Sequence, residues 1–285
     1  MSRFFCDTNS EIDFEVFKSL GISLIKMPYT VDGREYYYDL GENTDLTAFF
    51  SRMRRGAIVK TQALNSYDYV EYFEPVFAAG EDILYVSFSH KMSATFESLW
   101  TAADQLKEKY PKRKITLVDT KSISQGAGAI VEYAARLHNE GASDEAIKIA
   151  TEEYAGRVAV YFTVDDLEYL RRGGRLSRLK SFMGTLLSMK PLISVNPEGF
   201  LENIESVKGR KAALKYFITE MENGVDFDFP VTILQADSSQ DLELLAEMIA
   251  ERFPKATIKK QAVGPVVGCH CGPGTIGLVF TRPLK

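Results

Sequence analysis

The sequence predicts an α/β protein in two domains: a parallel, doubly wound sheet in residues 1–156 and a mixed-sheet α/β domain in residues 157–285. Three observations predict it. Short apolar runs alternate with helical stretches through the first half, the pattern of a parallel sheet wrapped by helices. Beyond residue 156 that regularity gives way to a hairpin and mixed strand pairing. A chain of 285 residues also exceeds the usual size of one hydrophobic core.

The first apolar run, 3–6, ends in Asp7-Thr8-Asn9-Ser10. A helix is expected at 12–20, capped by Ser10 and stopped by Gly21. Residues 22–31 read as a second strand before an Asp32-Gly33 turn, and the tyrosine-rich 34–40 as irregular. A helix at 46–55 ends in a basic turn and Gly56. The loop KTQALNS, 60–66, leads to a helix at 67–79. The next stretch, ILYVSFSHKMSATFESLWTAADQL at 83–106, organises the rest. It opens as a buried strand and passes through a short polar loop. It then places Met92, Phe96, Leu99, Ala103 and Leu106 at helical spacing. A strand feeding a helix this way leaves backbone N–H groups and a helix dipole facing an anion, and Ser93 and Thr95 add hydroxyls there.

A strand at 114–118 ends in Asp119-Thr120, and helices at 125–138 and 143–154 precede a strand at 158–164. Parallel sheets bind ligands at the carboxyl ends of their strands. Those ends carry Asp7-Thr8, Ser87-Phe88-Ser89 and Asp119-Thr120, which predicts one polar rim. The second half reads as a short helix at 167–172 closed by Gly173-Gly174, then an apolar helix at 182–189. A hairpin, 192–195 and 200–207, turns at Asn-Pro-Glu-Gly. A helix at 211–221, a strand at 231–236, a helix at 242–253 and strands at 257–262 and 275–280 complete it.

Composition is ordinary for a globular protein, 45% hydrophobic and 26% charged, and the net charge is −5 from 34 basic and 39 acidic residues. That balance gives no reason to expect nucleic acid as a partner. No apolar run reaches the ~20 residues of a membrane helix, so stable membrane insertion is not expected. The opening MSRFFCDTNSEIDF lacks the apolar core of a signal peptide. With three cysteines this points to a reducing cytoplasm rather than a disulfide framework.

Individual motifs leave alternatives open. Thr61 is a loop threonine or a donor to a ligand oxygen. Ser93 is a helix cap, an anion donor or a nucleophile. As a nucleophile it would need a base such as His270, which gives a serine hydrolase of lipid esters as the rival function; no G-x-S-x-G elbow surrounds it. His270 lies in VVGCHCGPGTIG, where flanking glycines let backbone approach a ligand. Cys269 and Cys271 beside it, with Cys6, do not have the spacing of a zinc site. The G-x-G of SQGAGAIV, 124–131, lacks the third glycine of a dinucleotide fingerprint, and no Walker motif is present. No cofactor or metal is therefore expected. LRRGGRLSRLK, 170–180, concentrates Arg171, Arg172, Arg175, Arg178 and Lys180. Such a cluster is a solvated basic turn, or a patch for an acidic surface or a phosphate; a protein-interaction module built on it is the second rival.

Taken together, these stretches resemble the DegV proteins, which include the lipid-binding subunit of bacterial fatty acid kinase. The residues that carry the resemblance are Asp7-Thr8, Thr61 ahead of Asp68-Tyr69, the S-A-T-F run at 93–96, and VDTKSISQGAG at 118–128. LEYLRRGGRLS at 167–177, MKPLI at 189–193 and VGCHCGPGTIG at 267–277 complete the set, in the family's order over nearly the whole chain. The resemblance implies one long-chain fatty acid between the two domains. Its tail would lie in an apolar tunnel and its carboxylate would be held by Thr61 and Ser93, with His270 nearby. It also implies no catalysis by this chain alone. The partner would be a separate ATP-dependent kinase subunit that phosphorylates the carboxylate to an acyl phosphate, with Arg171, Arg172 and Arg175 on the docking or phosphate-handling face. The chain departs from the family pattern at Gln62-Ala63-Leu64-Asn65, where Ser-Gln-Pro-Ser is usual. Ala94 stands where Gly is usual, and Cys269 and Cys271 where Thr is common. None of these removes the implied clamp.

Overall fold

A computed structural model of the chain describes residues 2–176 and 189–284. The first half runs β1 (Arg3–Asp7), α1 (Phe14–Leu20), β2 (Ser23–Ile25), β3 (Pro28–Val31), β4 (Arg34–Tyr37), α2 (Leu46–Arg54) and β5 (Val59–Thr61). It continues through α3 (Ser66–Ala78), β6 (Ile83–Ser87), α4 (Thr95–Lys109), β7 (Ile115–Asp119), α5 (Gln125–Asn139) and α6 (Asp144–Ala155). Then follow β8 (Val158–Thr163), α7 (Glu168–Arg172), β9 (Met189–Val195), β10 (Leu201–Lys208) and α8 (Arg210–Glu222). β11 (Val231–Ala236), α9 (Ser239–Arg252), β12 (Ile258–Ala262), α10 (Pro265–Cys271) and β13 (Thr275–Thr281) close the chain.

The first sheet is parallel throughout, in the order β2-β1-β6-β7. Alternation along its strands explains how it is covered. Phe4, Cys6, Leu84 and Val86 face one way, into a cluster with Val131, Ala134 and Ile147 of α5 and α6. Phe5, Ile83 and Tyr85 face the other, against Phe73, Phe77 and Leu99 of α3 and α4. The second sheet is mixed, in the order β10-β9-β8-β13-β11-β12, with only β11 and β12 parallel among neighbours. Tyr161, Ile233, Ile276, Leu278 and Phe280 pack on α8 and α9. Val160, Phe162, Leu234 and Val279 turn to the opposite face, toward the core of the first half. This inward face is where the two halves meet.

Several local expectations change. The strand expected at 22–31 is two, β2 in the parallel sheet and β3 in a small antiparallel sheet ordered β4-β3-β5. The segment read as irregular therefore contains β4. Helix α1 starts at Phe14 because Asp13, not Ser10, caps it, accepting from the N–H groups of Glu15 and Val16. Ser10 ends a short 3₁₀ turn and donates to the Asp7 carbonyl. Arg178, Lys180 and positions 182–188 of the helix expected at 182–189 lie outside the described residues, and Met189 opens β9.

Contacts across the halves are polar as well as apolar. Arg54 pairs with Asp237, and Lys259 with Glu132 at 3.0 Å. Ser89 donates to the Gly199 carbonyl in the hairpin turn at 2.8 Å. Gly128 lets α5 press against the turn after β1, since a Cβ there would lie 2.4 Å from the Ser10 carbonyl oxygen.

Candidate functional site

Between the halves lies a cavity of about 280 Å³, near the lower end of small-molecule sites, roughly 300–1,000 Å³. Its walls are mainly apolar. Met27, Phe88, Met92 and Ile123 come from the first half, and Val160, Phe162, Leu201 and Leu234 from the inward face of the second sheet. Its polar groups include Thr61, Ser93, His270 and Arg175. Thr61 ends β5, an edge of the small sheet, and His270 sits in the last turn of α10. These side chains, 209 positions apart in sequence, are joined by a Thr61 Oγ1 to His270 Nε2 hydrogen bond of 2.9 Å.

The ring's other nitrogen fixes the direction of that bond. His270 Nδ1 is buried without a hydrogen-bond partner, packed over Gly173, where a Cβ would stand 2.1 Å away. A proton on Nδ1 would leave a buried donor unsatisfied, the costlier choice. The geometry therefore assigns the proton to Nε2, which donates to Thr61 and frees the threonine hydroxyl to donate into the cavity. Burial, and next the Arg175 charge, hold His270 neutral, with its pKa lowered to about 3. A histidine whose folded pKa lies below its unfolded value contributes stability above about pH 6.5 and loses it as pH falls toward 3. Denaturant unfolding of the parent and of His270→Asn is thus expected to converge between those limits as pH drops, from a clear difference at pH 7.

Ser93 precedes α4 by two residues. It does not close the helix as a regular cap; Ala94 holds that position without a side-chain bond. The Ser93 hydroxyl instead accepts from the Thr95 N–H at 3.2 Å and shares a proton with the Thr95 hydroxyl at 2.8 Å. Thr95 is fully buried and both residues line the cavity, so of their two hydroxyl protons one closes the pair and one is left to donate. Of the first-turn N–H groups of α4, that of Thr95 is taken by Ser93 and that of Glu97 by the Ala94 carbonyl. Among the described residues no hydrogen bond joins Ser93 to His270; each bonds to a threonine. A neutral, weakly basic imidazole bonded elsewhere is poorly placed to activate Ser93.

The arginine cluster divides. Arg171 and Arg172 are exposed and both pair with Glu168, at 2.6 and 2.8 Å, pulling that carboxyl down to about 2. Arg175 turns inward. Its Nε and Nη2 donate to the Met92 carbonyl at 3.3 and 3.1 Å and its Nη1 to the Gly173 carbonyl at 2.5 Å. It thereby ties the segment after α7 to the loop that carries Ser93.

The polar rim expected at the strand ends is only partly a surface. Asp7 is buried and accepts from Tyr85, Ser87 and both nitrogens of Asn9, at 2.8 to 2.9 Å; burial lifts its pKa above the usual carboxylate value. Asp119 instead pairs with His90. The three cysteines are free and buried. Cys6 packs in a different cluster from Cys269 and Cys271, and burial pushes the Cys271 thiol up to about 12. Among the described residues no three histidine, cysteine or acidic side chains converge as metal ligands. Nor, among them, is any helix long and apolar enough to cross a membrane.

The model of the DegV family, a family of uncharacterised proteins, matches residues 4–282. The chain belongs to the DegV family. A DegV domain-containing protein of Clostridium perfringens is 36% identical over 283 residues, spanning 99% of this chain and 97% of that one. Another, from Caldanaerobacter subterraneus, is 31% identical over 277 residues and spans 96% of each. Among solved structures, a DegV family protein from Thermus thermophilus, described by its fatty acid binding, superposes with a TM-score of 0.85 at 27% identity. It covers 98% of this chain and 99% of that one. A stearic acid-binding protein from Eubacterium ventriosum shares the fold, with a TM-score of 0.84 at 19% identity over 99% and 98% of the two chains. The two-sheet architecture described above is thus the DegV architecture. Sequence reasoning had no signal for Glu11, a buried carboxyl that links the two halves behind the cavity.

Proposed function

We propose that this DegV protein binds one long-chain fatty acid, its tail in the apolar cavity and its carboxylate at the hydroxyls of Thr61 and Ser93, with His270 behind Thr61. The observation that carries the reading is the meeting of these three side chains at a cavity whose remaining walls are mainly hydrocarbon. An acyl chain gains roughly 0.8 kcal/mol per buried methylene, so the walls supply most of the affinity. A carboxylate taken out of water needs several donors. Two hydroxyls oriented by neighbours supply them, with the Arg175 guanidinium nearby. The Thermus thermophilus relative, similar over its whole length and described by its fatty acid binding, supports the same ligand class.

In this reading the chain performs no chemistry alone and needs no cofactor. It works in the cytoplasm, presenting the carboxylate to a separate ATP-dependent kinase subunit that converts it to an acyl phosphate. Arg171 and Arg172, exposed on α7, would face that partner, and Arg175 the phosphoryl group. The test is mass spectrometry of lipid extracted from the purified protein, with re-binding of fatty acids after delipidation. About one long-chain fatty acid per chain is the expected result. A protein that carries and takes up none ends the proposal. Addition of the kinase subunit and ATP, with hydroxylamine trapping of acyl phosphate, tests presentation separately.

A further inference from the structure

Glu11 lies in the turn after β1 and is 3% exposed. Its bonds reach both halves of the molecule. Its backbone carbonyl accepts from the Gln125 side chain and its Oε2 from the Ser124 hydroxyl, at the start of α5. Its Oε1 accepts from the Gly264 N–H at 2.6 Å, and Gly264 is the N-cap of α10, the helix that carries His270. Two of these residues hold backbone angles that side chains disfavour, Glu11 at φ 49° and Ser124 at φ 54°. Strained residues persist where their surroundings over-determine them. Here the strained pair bond to each other, and Ser124 also lines the cavity.

We infer that Glu11 is a positioning residue: its buried carboxyl, held in the first half of the chain, anchors the start of α10 in the second half and so fixes His270 at the head-group end of the cavity. Its functional meaning rests on the fatty-acid reading above. Glu11 touches neither Thr61 nor His270 through any hydrogen bond among those described, and acts through the short rigid helix between Gly264 and His270.

The chemistry of the contact gives a signature that a merely structural residue would lack. Burial pushes the Glu11 carboxyl up to about 8. The titratable groups facing it are Tyr38, whose ring lies against Gly264, and Cys271 at the end of α10. Burial raises both of these, Cys271 to about 12, while His270 stays neutral down to about 3. Between pH 6 and 9 the member of this cluster that changes charge is therefore Glu11. In its protonated form one oxygen accepts from Gly264 and the O–H can donate to Ser124. A glutamine amide reproduces both bonds. Above pH 8 the carboxylate ionises, which strengthens its bonds from Gly264 and Ser124 while burying a charge beside α10, so the surroundings of His270 change with it.

The test uses the full chain with ¹⁵N-labelled histidine. There are three histidines, and His138 serves as an internal control because it bonds to the Ser2 carbonyl in a separate cluster. Glu11→Ala is expected to shift the His270 ring resonances and leave those of His138 in place. It should also lower affinity for cis-parinaric acid about tenfold, the size of one net hydrogen bond. Glu11→Gln should match the parent at pH 7 and lack the change in His270 resonances that the parent shows between pH 7 and 9. Unmoved His270 resonances in Glu11→Ala, or a parent-like alkaline step in Glu11→Gln, would overturn the inference. Should Glu11→Ala fail to fold, the pH comparison of Glu11→Gln with the parent decides alone. The resonances are read without ligand. A parent that binds no cis-parinaric acid therefore counts against the fatty-acid reading, and the His270 response still decides the role of Glu11.

Discussion

Thr61→Val combined with Ser93→Ala is expected to lower fatty-acid affinity by at least about a hundredfold while leaving the fold intact. Each hydrogen bond to a charged group is worth about 1.5–3 kcal/mol, and every 1.4 kcal/mol is about tenfold in affinity. Valine keeps the shape of threonine at the edge of β5, so the packing there survives. It also deprives the His270 Nε2–H of its acceptor, which adds to the loss. Calorimetric titration of delipidated parent, single variants and double variant with one fatty acid measures the effect. The singles should sum to the double only if the two hydroxyls act independently. An unchanged affinity in the double variant would remove the carboxylate from this end of the cavity.

Gly173→Val should be nearly as damaging by a different route. A Cβ at Gly173 would stand 2.1 Å from His270 Nδ1 and 3.2 Å from its Cγ. The ring must leave its place, and the Thr61–His270 bond goes with it. Overpacking of this kind costs about 1–3 kcal/mol, so a lower midpoint of denaturation is expected together with weakened binding. Gly174→Ala is the informative partner. Gly174 has φ 71° with open space around it, so alanine there meets backbone strain alone. Stability should fall without loss of binding. If Gly173→Val binds as tightly as the parent, the position of the ring is not important to the ligand.

Much of the fold was legible because its signals are local. The strand–helix alternation, the spacing of Phe96, Leu99 and Leu106 along α4 and the Asn-Pro-Glu-Gly hairpin each follow from backbone geometry that neighbouring residues impose. Met92, expected on the same helical face, lies in the turn before α4, and Ala102 rather than Ala103 is the buried alanine. What failed was longer in range. Nothing local says that residues 22–31 break at Lys26-Met27, because the break is imposed by β3 leaving the parallel sheet to pair with β4 and β5. Ser93 read as a cap from composition, yet its hydroxyl bonds Thr95 while Ala94 takes the cap position. The arginines of 171–175 look alike in sequence. Only the fold separates two that neutralise Glu168 from one that reaches Met92. Thr61 stands out as a loop donor and His270 for its flanking glycines, but the residues alone say nothing of the bond between them. Glu11 was invisible because a buried glutamate in a left-handed turn has no sequence signature.

The walls of the cavity come from both halves of the chain, Met27 and Phe88 on one side, Phe162 and Leu234 on the other. A tail held there is enclosed by surfaces that also hold each other, through Arg54–Asp237, Glu132–Lys259 and Ser89–Gly199. On the proposed reading, a lipid leaving this site would loosen contacts to both halves at once, so its release would depend on these inter-half contacts as well as on the methylene contacts themselves. A partner that pried at these three contacts would speed delivery without touching the lipid.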